Sequence, residues 1–308
     1  MKIEKMVGCM IGLAVGDALG VPVEFKDRED IYEKYGVLDK MVEGGTWGQP
    51  AGTVSDDTKM ALCVAEGIVE NHVNPIPAIG RKFVEWYESK PFDIGICCAS
   101  VISDAIRNQS KTANDWFRVA NEYRYRSGGR SEGNGGLMRT AFVGCYYKTL
   151  KDVEKYAFDI CGMTHVGMTQ NDCSLVSLII HELIEGGSKE TIERFVKDYS
   201  ETKGRYNLGE IEGYPFRVKP SGYGMNSLKC ALKCVLKTRT FKEAVVEAVN
   251  MGGDTDTIGA ITGAIAGALY GIDEIPKEWV NSLDKEIVDK LADVVAEASI
   301  YRFGGEYE

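Results

Sequence analysis

Two pairs of carboxylates, far apart in the chain, carry the chemistry this sequence can do. Asp56 and Asp57 stand between Ser55 and Thr58, and Asp254 and Asp256 alternate with Thr255 and Thr257. Each pair opens an apolar run that reads as a helix. Capping a helix N-terminus needs only one Ser, Thr or Asp, and acidic residues suit that end in any case. Adjacent carboxylates, however, repel one another unless a cation neutralises them. If the two helix openings meet, they form a nest of hard oxygen donors suited to Mg²⁺ or Mn²⁺, with room for two ions. Zinc is the poorer match, because His and Cys ligands are missing. Ions held there would bind hydroxyls, activate water and stabilise developing charge. The competing reading, two capped core helices, stays open on these stretches alone.

Other residues gather chemistry near helix ends. Glu24, in VPVEF, follows Pro22 at the exit of the first helix, where a carboxylate is free to move. Asp17 is the one charge in the apolar run 6–20, and an isolated buried Asp ordinarily satisfies neighbouring backbone groups. The segment YRYRSGGRSEG leads into Gly133, Asn134, Gly135 and Gly136. Such a loop can bring backbone amides close to a phosphate or ribose, although a turn before a helix would read the same way. Thr164 and His165 end a helical stretch, and a lone His is more often structural than catalytic.

The elements that must position these residues read as helices throughout. Glycine recurs every four residues at 8, 12, 16 and 20, and again at 259, 263, 267 and 271. That spacing puts each set on one helix face. Each Gly costs roughly 1 kcal/mol relative to Ala inside a helix, so the stripes predict close backbone contact, with the two helices packed in the same core. Helical spacing also marks 57–69, 75–89, 93–108, 113–123, 151–161, 169–185, 189–200, 221–237, 241–250 and 284–300. A charged helix and loop are expected over 27–41, and a polar excursion over 201–218 is expected to border the substrate entrance. No run alternates as a strand would. The expectation is one all-α domain over 1–308 with a dozen or so helices.

Composition narrows the function. The net charge of −10 and pI near 5.1 argue against broad nucleic-acid binding, which needs a basic face. Nine scattered cysteines without metal spacing read as buried free thiols in a reducing cytoplasm. Lys2 and Lys5 before an apolar run imitate a signal peptide, but Asp17 interrupts it. The run 258–272 is shorter than the ~20 residues of a spanning helix. Neither is read as membrane-inserted.

Five motifs, taken in order, resemble the ADP-ribosylglycohydrolase family: GLAVGDALGVPVEF (12–25), SDDT (55–58), GNGGLMR (133–139), TH (164–165) and GGDTDT (252–257). The resemblance implies an orthogonal multi-helix bundle with a binuclear Mg²⁺ or Mn²⁺ site. Matching positions would make Ser55, Asp56, Asp57, Asp254, Asp256 and Thr257 the ligands, Ser55 standing where relatives often carry Thr. Glu24 matches an acid that some relatives use in catalysis, with Asp57 as the other carboxylate able to take a proton from water. Asn134, Gly135, Gly136, His165 and the SGY segment, including Gly222 and Tyr223, match positions that contact ADP-ribose. The implied activity is hydrolysis of the bond between ADP-ribose and a protein side chain, arginine or serine, or a small-molecule acceptor. ADP-ribose binding without turnover, or hydrolysis of another nucleotide or sugar conjugate, are the alternatives.

Overall fold

The computed structural model describes residues 1–203 and 219–304. Among them the secondary structure is helical, apart from isolated bridges. The helices are α1 Lys2–Gly20, α2 Arg28–Tyr35, α3 Asp56–Glu70, α4 Ile76–Glu88, α5 Ile96–Arg107, α6 Ala113–Arg126, α7 Ala141–Tyr146 and α8 Leu150–Gly162. They continue with α9 Thr169–Ile184, α10 Lys189–Lys203, α11 Gly224–Lys237, α12 Phe241–Val249, α13 Thr255–Tyr270, α14 Lys277–Val280 and α15 Lys285–Phe303. Most of the expected polar excursion, 204–218, lies outside the described residues.

The two glycine stripes meet face to face. A Cβ placed on Gly12 would lie 2.3 Å from the carbonyl oxygen of Gly263, and one on Gly16 would lie 2.0 Å from that of Gly259. Gly8 faces Gly267 and Gly271, while Gly20 faces Thr255 and Asp256. The pairing order makes α1 and α13 antiparallel. Backbone therefore packs on backbone, and the close contact offsets the helix-propensity cost of the glycines. The pair also sets side by side the C-terminal end of α1 and the N-terminal end of α13, the two ends that carry Glu24 and Asp256.

One large apolar cluster wraps this pair, with Met10 and Leu13 of α1, Met60 and Val64 of α3, Phe142 of α7, Ile179 of α9 and Ala264 of α13 among its buried members. The segment Lys2–Val23 is long and apolar enough to cross a membrane, but 94% of its most apolar window is buried inside the protein. Boundaries elsewhere fall within a few residues of those expected, except for α7 and α14, which periodicity did not mark. Helix α7 is apolar at all six positions, so it has no polar face to reveal its period. Helix α14 spans four residues, about one turn.

Candidate active site

The site is built from helix ends. Ser55 caps α3 by accepting from the amide of Asp57 (3.3 Å). Asp17 reaches the same end from α1: its carboxylate accepts from the amides of Ser55 (3.0 Å) and Thr58 (3.1 Å) and from the Thr58 hydroxyl. The expected structural role of Asp17 is thus what the hydrogen bonds show, and it also places a third carboxylate beside the pair. On the other side, Asp254 occupies the N-cap position of α13, yet its side chain makes no capping bond. Its Oδ2 instead accepts from Nδ2 of Asn134 (3.0 Å). Capping therefore accounts for Ser55 but not for Asp254.

Two short backbone links bind the Glu24 turn to the GGDTDT loop: Phe25 N–H to the Gly253 carbonyl (2.7 Å) and Gly253 N–H to the Lys26 carbonyl (2.8 Å). Gly253 has φ +77°, and a Cβ there would lie 2.6 Å from the carbonyl oxygen of Pro220. Glycine is required by both the conformation and the neighbour. Phe25 is itself held at φ +63°, a conformation uncommon for a bulky residue. Its ring is 65% exposed and packs edge-on to Trp47, which in turn lies against Phe92.

The carboxylates converge. Oxygens of Asp17, Asp57 and Asp256 lie within 4.8 Å of one another, as do those of Glu24, Asp254 and Asp256. The hydroxyls of Ser55 (3.1 Å) and Thr257 (3.2 Å) both donate to Oδ2 of Asp57. The other oxygen, Oδ1, is buried with no partner among the described residues. An unpartnered buried carboxylate oxygen is costly. Asp56 is in neither triad, though close enough to act on Asp57 and Glu24; its Oδ2 meets the amide of Gly95 (3.4 Å) and its carboxyl adjoins Asp93.

Electrostatics register this crowding. Burial, then Asp93 and Asp17, push Asp56 well above the usual carboxylate range. Burial, then Asp17 and Asp56, do the same to Asp57, and burial, then Asp57 and Asp254, to Asp256. Burial raises Asp17 to about 6 against the pull of its hydrogen bonds. Glu24 is raised to about 8 by burial and then by Asp93, although the Trp47 indole donates to it. So many buried acids cannot all ionise near neutrality without a counter-charge. The all-oxygen donor set, two clusters sharing Asp256, and the orphaned Asp57 oxygen fit hard divalent cations.

The remaining expected residues form one wall. Asn134 N–H donates to the Gly222 carbonyl (2.9 Å), and Gly222 packs against Asp254 so closely that a Cβ would lie 3.0 Å from its Oδ2. Tyr223 stands at the outer edge, its hydroxyl donating to Glu132 (3.1 Å). His165 is buried beneath the loop, under Gly133 and Gly135, with Nδ1 sharing a hydrogen bond with the Thr164 hydroxyl (2.8 Å). Burial and the nearby Arg139 hold it down at about 3. Cys161 fills the space under Gly136. The glycines of this loop thus make room for side chains below it.

Three contributors escaped the sequence reading. Asp93 sits in the loop before α5, next to Asp56. Trp47 orients Glu24. Arg139, fully buried, ties the wall together by donating to the Gly135 carbonyl (3.0 Å), the Thr164 hydroxyl (2.7 Å) and the Ile160 carbonyl (3.3 Å). The signal for Arg139 was a lone cation directly after GNGGLM; Trp47 had only a position in a Gly/Pro-rich loop, and Asp93, read as the start of a helix over 93–108, lies in the loop before Ile96.

The profile of the ADP-ribosylglycohydrolase family matches residues 1–303. The chain belongs to the ADP-ribosylglycohydrolase family. It is 30% identical to the ADP-ribosyl-[dinitrogen reductase] glycohydrolase of Rhodospirillum rubrum, over 92% of each chain. It is also 30% identical to the ADP-ribosylarginine hydrolase Tri1 of Serratia proteamaculans, over 95% of this chain and 79% of that one. A solved structure described as an ADP-ribosylglycohydrolase-related protein complex superposes with a TM-score of 0.82 at 25% identity, covering 98% of this chain and 99% of that one. The family membership and this likeness agree with the all-α fold expected from sequence.

Proposed function

We propose that this ADP-ribosylglycohydrolase relative is a single-domain, cation-dependent hydrolase of the N-glycosidic bond between ADP-ribose and an arginine guanidinium on a protein. The observation that carries the reading is the Asp57 carboxylate, buried among Asp17, Asp256 and two hydroxyls with one oxygen unpartnered. The holders of two Mg²⁺ or Mn²⁺ ions would be Ser55, Asp56, Asp57, Asp254, Asp256 and Thr257. When bound, such ions supply Lewis acidity towards ribose hydroxyls and a water.

The chain's own residues do the rest. Asp17 holds the start of α3 so that Asp57 faces Asp256. Asn134 and Gly222 fix Asp254. Glu24 stands beside Asp254 and Asp256, oriented by Trp47, and transfers the proton at the scissile bond. A carboxyl shifted towards neutrality matches that task. The backbone at Gly135 and Gly136 receives the diphosphate, His165 braces that loop from below, and Tyr223 lies where the adenosine end would rest. Cleavage passes through an oxocarbenium-like state.

The leaving-group side favours a guanidinium. The Asp93 and Glu24 carboxyls offer hydrogen-bond acceptors to its N–H groups there, and the exposed Phe25 ring, backed by Trp47 and Phe92, offers aromatic faces to a planar cation. The neutral oxygen of an ADP-ribosylserine bond gains nothing from them. The 30% identity to an ADP-ribosylarginine hydrolase points the same way. All nine cysteines are free and eight are buried, which suits a reducing, cytoplasmic setting.

The test is release of ADP-ribose from ADP-ribosylarginine and ADP-ribosylserine peptides with Mg²⁺, Mn²⁺ or EDTA. Release is expected from the arginine peptide alone and only with metal. Asp57→Asn should lower it by about a thousandfold, the equivalent of several kcal/mol of lost charge stabilisation. Metal-dependent ADP-ribose binding with no release from either peptide would make the protein a binder, and full activity in Asp57→Asn would refute the scheme.

A further inference from the structure

The stretch from Asp104 to Arg130 departs in charge from the rest of the chain. It carries six cations, Arg107, Lys111, Arg118, Arg124, Arg126 and Arg130, against three acids, Asp104, Asp115 and Glu122. In a protein of net charge −10 this leaves −13 on everything else. The three acids are engaged within the α5–α6 pair. Asp104 is buried and takes ion pairs from both Arg107 and Arg126. Asp115 accepts from the amides of Lys111 (3.1 Å) and Thr112 (2.9 Å) and completes the capping box of α6. Glu122 pairs with Arg118 on the surface (3.1 Å). The cations face outward, and Tyr125, 91% exposed, stands among them over a shallow depression lined by Arg118, Asn121, Glu122 and Arg126.

The α5–α6 pair joins the site through the start of α5 and the end of α6. Helix α5 starts immediately after Gly95, whose amide meets Asp56 (3.4 Å). Helix α6 runs into Ser131, Glu132 and Asn134, which connect to Val166, Tyr223 and Asp254 through side-chain hydrogen bonds of 2.7, 3.1 and 3.0 Å.

We propose that the α5–α6 face is a docking surface for an acidic segment of the protein substrate next to its modified arginine. The proposal rests on the hydrolase reading above and adds to it a substrate class. Charge complementarity selects the partner. A short acidic segment meets the cations of α6 while its neighbouring modified side chain enters the carboxylate-lined mouth. A long polyanion such as a nucleic acid would also lie across the surrounding acidic surface and be repelled.

Two synthetic peptides test this, each carrying one ADP-ribosylarginine, flanked by glutamates in one and by lysines in the other. ADP-ribosylarginine alone is the control. The wild-type kcat/KM should favour the glutamate peptide by about tenfold at low salt, with the gap closing as salt rises. The double variant Arg118→Glu, Arg124→Glu should lose about fivefold or more on that peptide through KM, with turnover of ADP-ribosylarginine unchanged. The milder pair Arg118→Gln, Arg124→Gln should fall between, which separates docking from any folding defect. Equal rates on the two peptides, or a preference that survives charge reversal, overturns the proposal. So does salt-sensitive capture of a single-stranded DNA oligomer that the double variant abolishes. Binding of a fluorescent, unmodified glutamate peptide by anisotropy reads the surface without turnover: binding lost in the double variant supports it, and no binding by wild type overturns it. Failure of wild type to hydrolyse ADP-ribosylarginine would instead refute the hydrolase reading and leave this readout standing.

Discussion

The crowded carboxylates make the stability of the metal-free protein depend on pH in a direction opposite to that of most proteins. Glu24 titrates at about 8 when folded, against about 4.3 when unfolded. A folded-state value above the unfolded one means that the native state holds the extra proton, so its stabilisation is complete at low pH and lost as pH rises through the folded value. Between pH 6.5 and 7.5 the slope is about 1.4 kcal/mol per pH unit for each such proton. Glu24 supplies one such proton, and the raised Asp56, Asp57 and Asp256 act in the same direction. The buried His165 and His181, held down at about 3 and about 4, act in the opposite sense: the unfolded imidazoles release their protons around pH 6.5, the lower edge of this range, and offset roughly 0.7 kcal/mol of the loss with or without metal. Thiols raised by burial, such as Cys63 at about 12, subtract stability mainly above this range. Bound Mn²⁺ would keep the carboxylates ionised in the folded state and remove their contribution to the slope. The assay is urea unfolding at pH 6.5, 7.0 and 7.5 in EDTA and in saturating Mn²⁺. The stabilisation by metal should grow with pH across these points. The same slope in EDTA and in Mn²⁺ refutes the reasoning.

Two further outcomes follow from the packing. In Gly263→Ala the new Cβ would lie 1.9 Å from the Gly12 carbonyl oxygen, where 3.4 Å is ordinary contact. The helix-propensity gain of up to ~1 kcal/mol is outweighed by overpacking of backbone against backbone. A net loss of about 2 kcal/mol or more is expected, read as a lower urea midpoint, while Gly95→Ala, which faces open space, should shift it by less than ~0.5 kcal/mol. In Trp47→Phe, Glu24 loses the indole bond that stabilises its charged form. The pH–rate limb belonging to Glu24 should move upward, and an unmoved limb would show that another group transfers the proton.

The glycine stripes were legible because a helix converts a spacing of four into a face, and only close approach justifies the propensity cost. The acid pairs were legible because adjacency in sequence forces adjacency in space at a helix start. Asp17 was read as a satisfied buried acid, which it is, but its closeness to Asp57 and Asp256 depends on how α1 lies against α3. Asp93 and Trp47 were out of reach for the same reason: a loop residue acquires its neighbours from the folded chain. The GNGG loop shows a subtler gap. Its glycines were read for what could approach from above, whereas His165 and Cys161 press from below.

The pairing of α1 with α13 also has a consequence for how the protein is made. Gly20 and Thr255, joined in the finished fold by a hydrogen bond, are 235 residues apart in the chain. At ~5–20 residues per second, the ribosome leaves α1 without its partner for about 12–50 s. Until then a helix apolar enough to pass for a membrane span lacks the backbone on which its glycine face packs, although α3, α7 and α9, which also touch it, are made earlier. Truncations short of α13 should emerge as persistent chaperone clients.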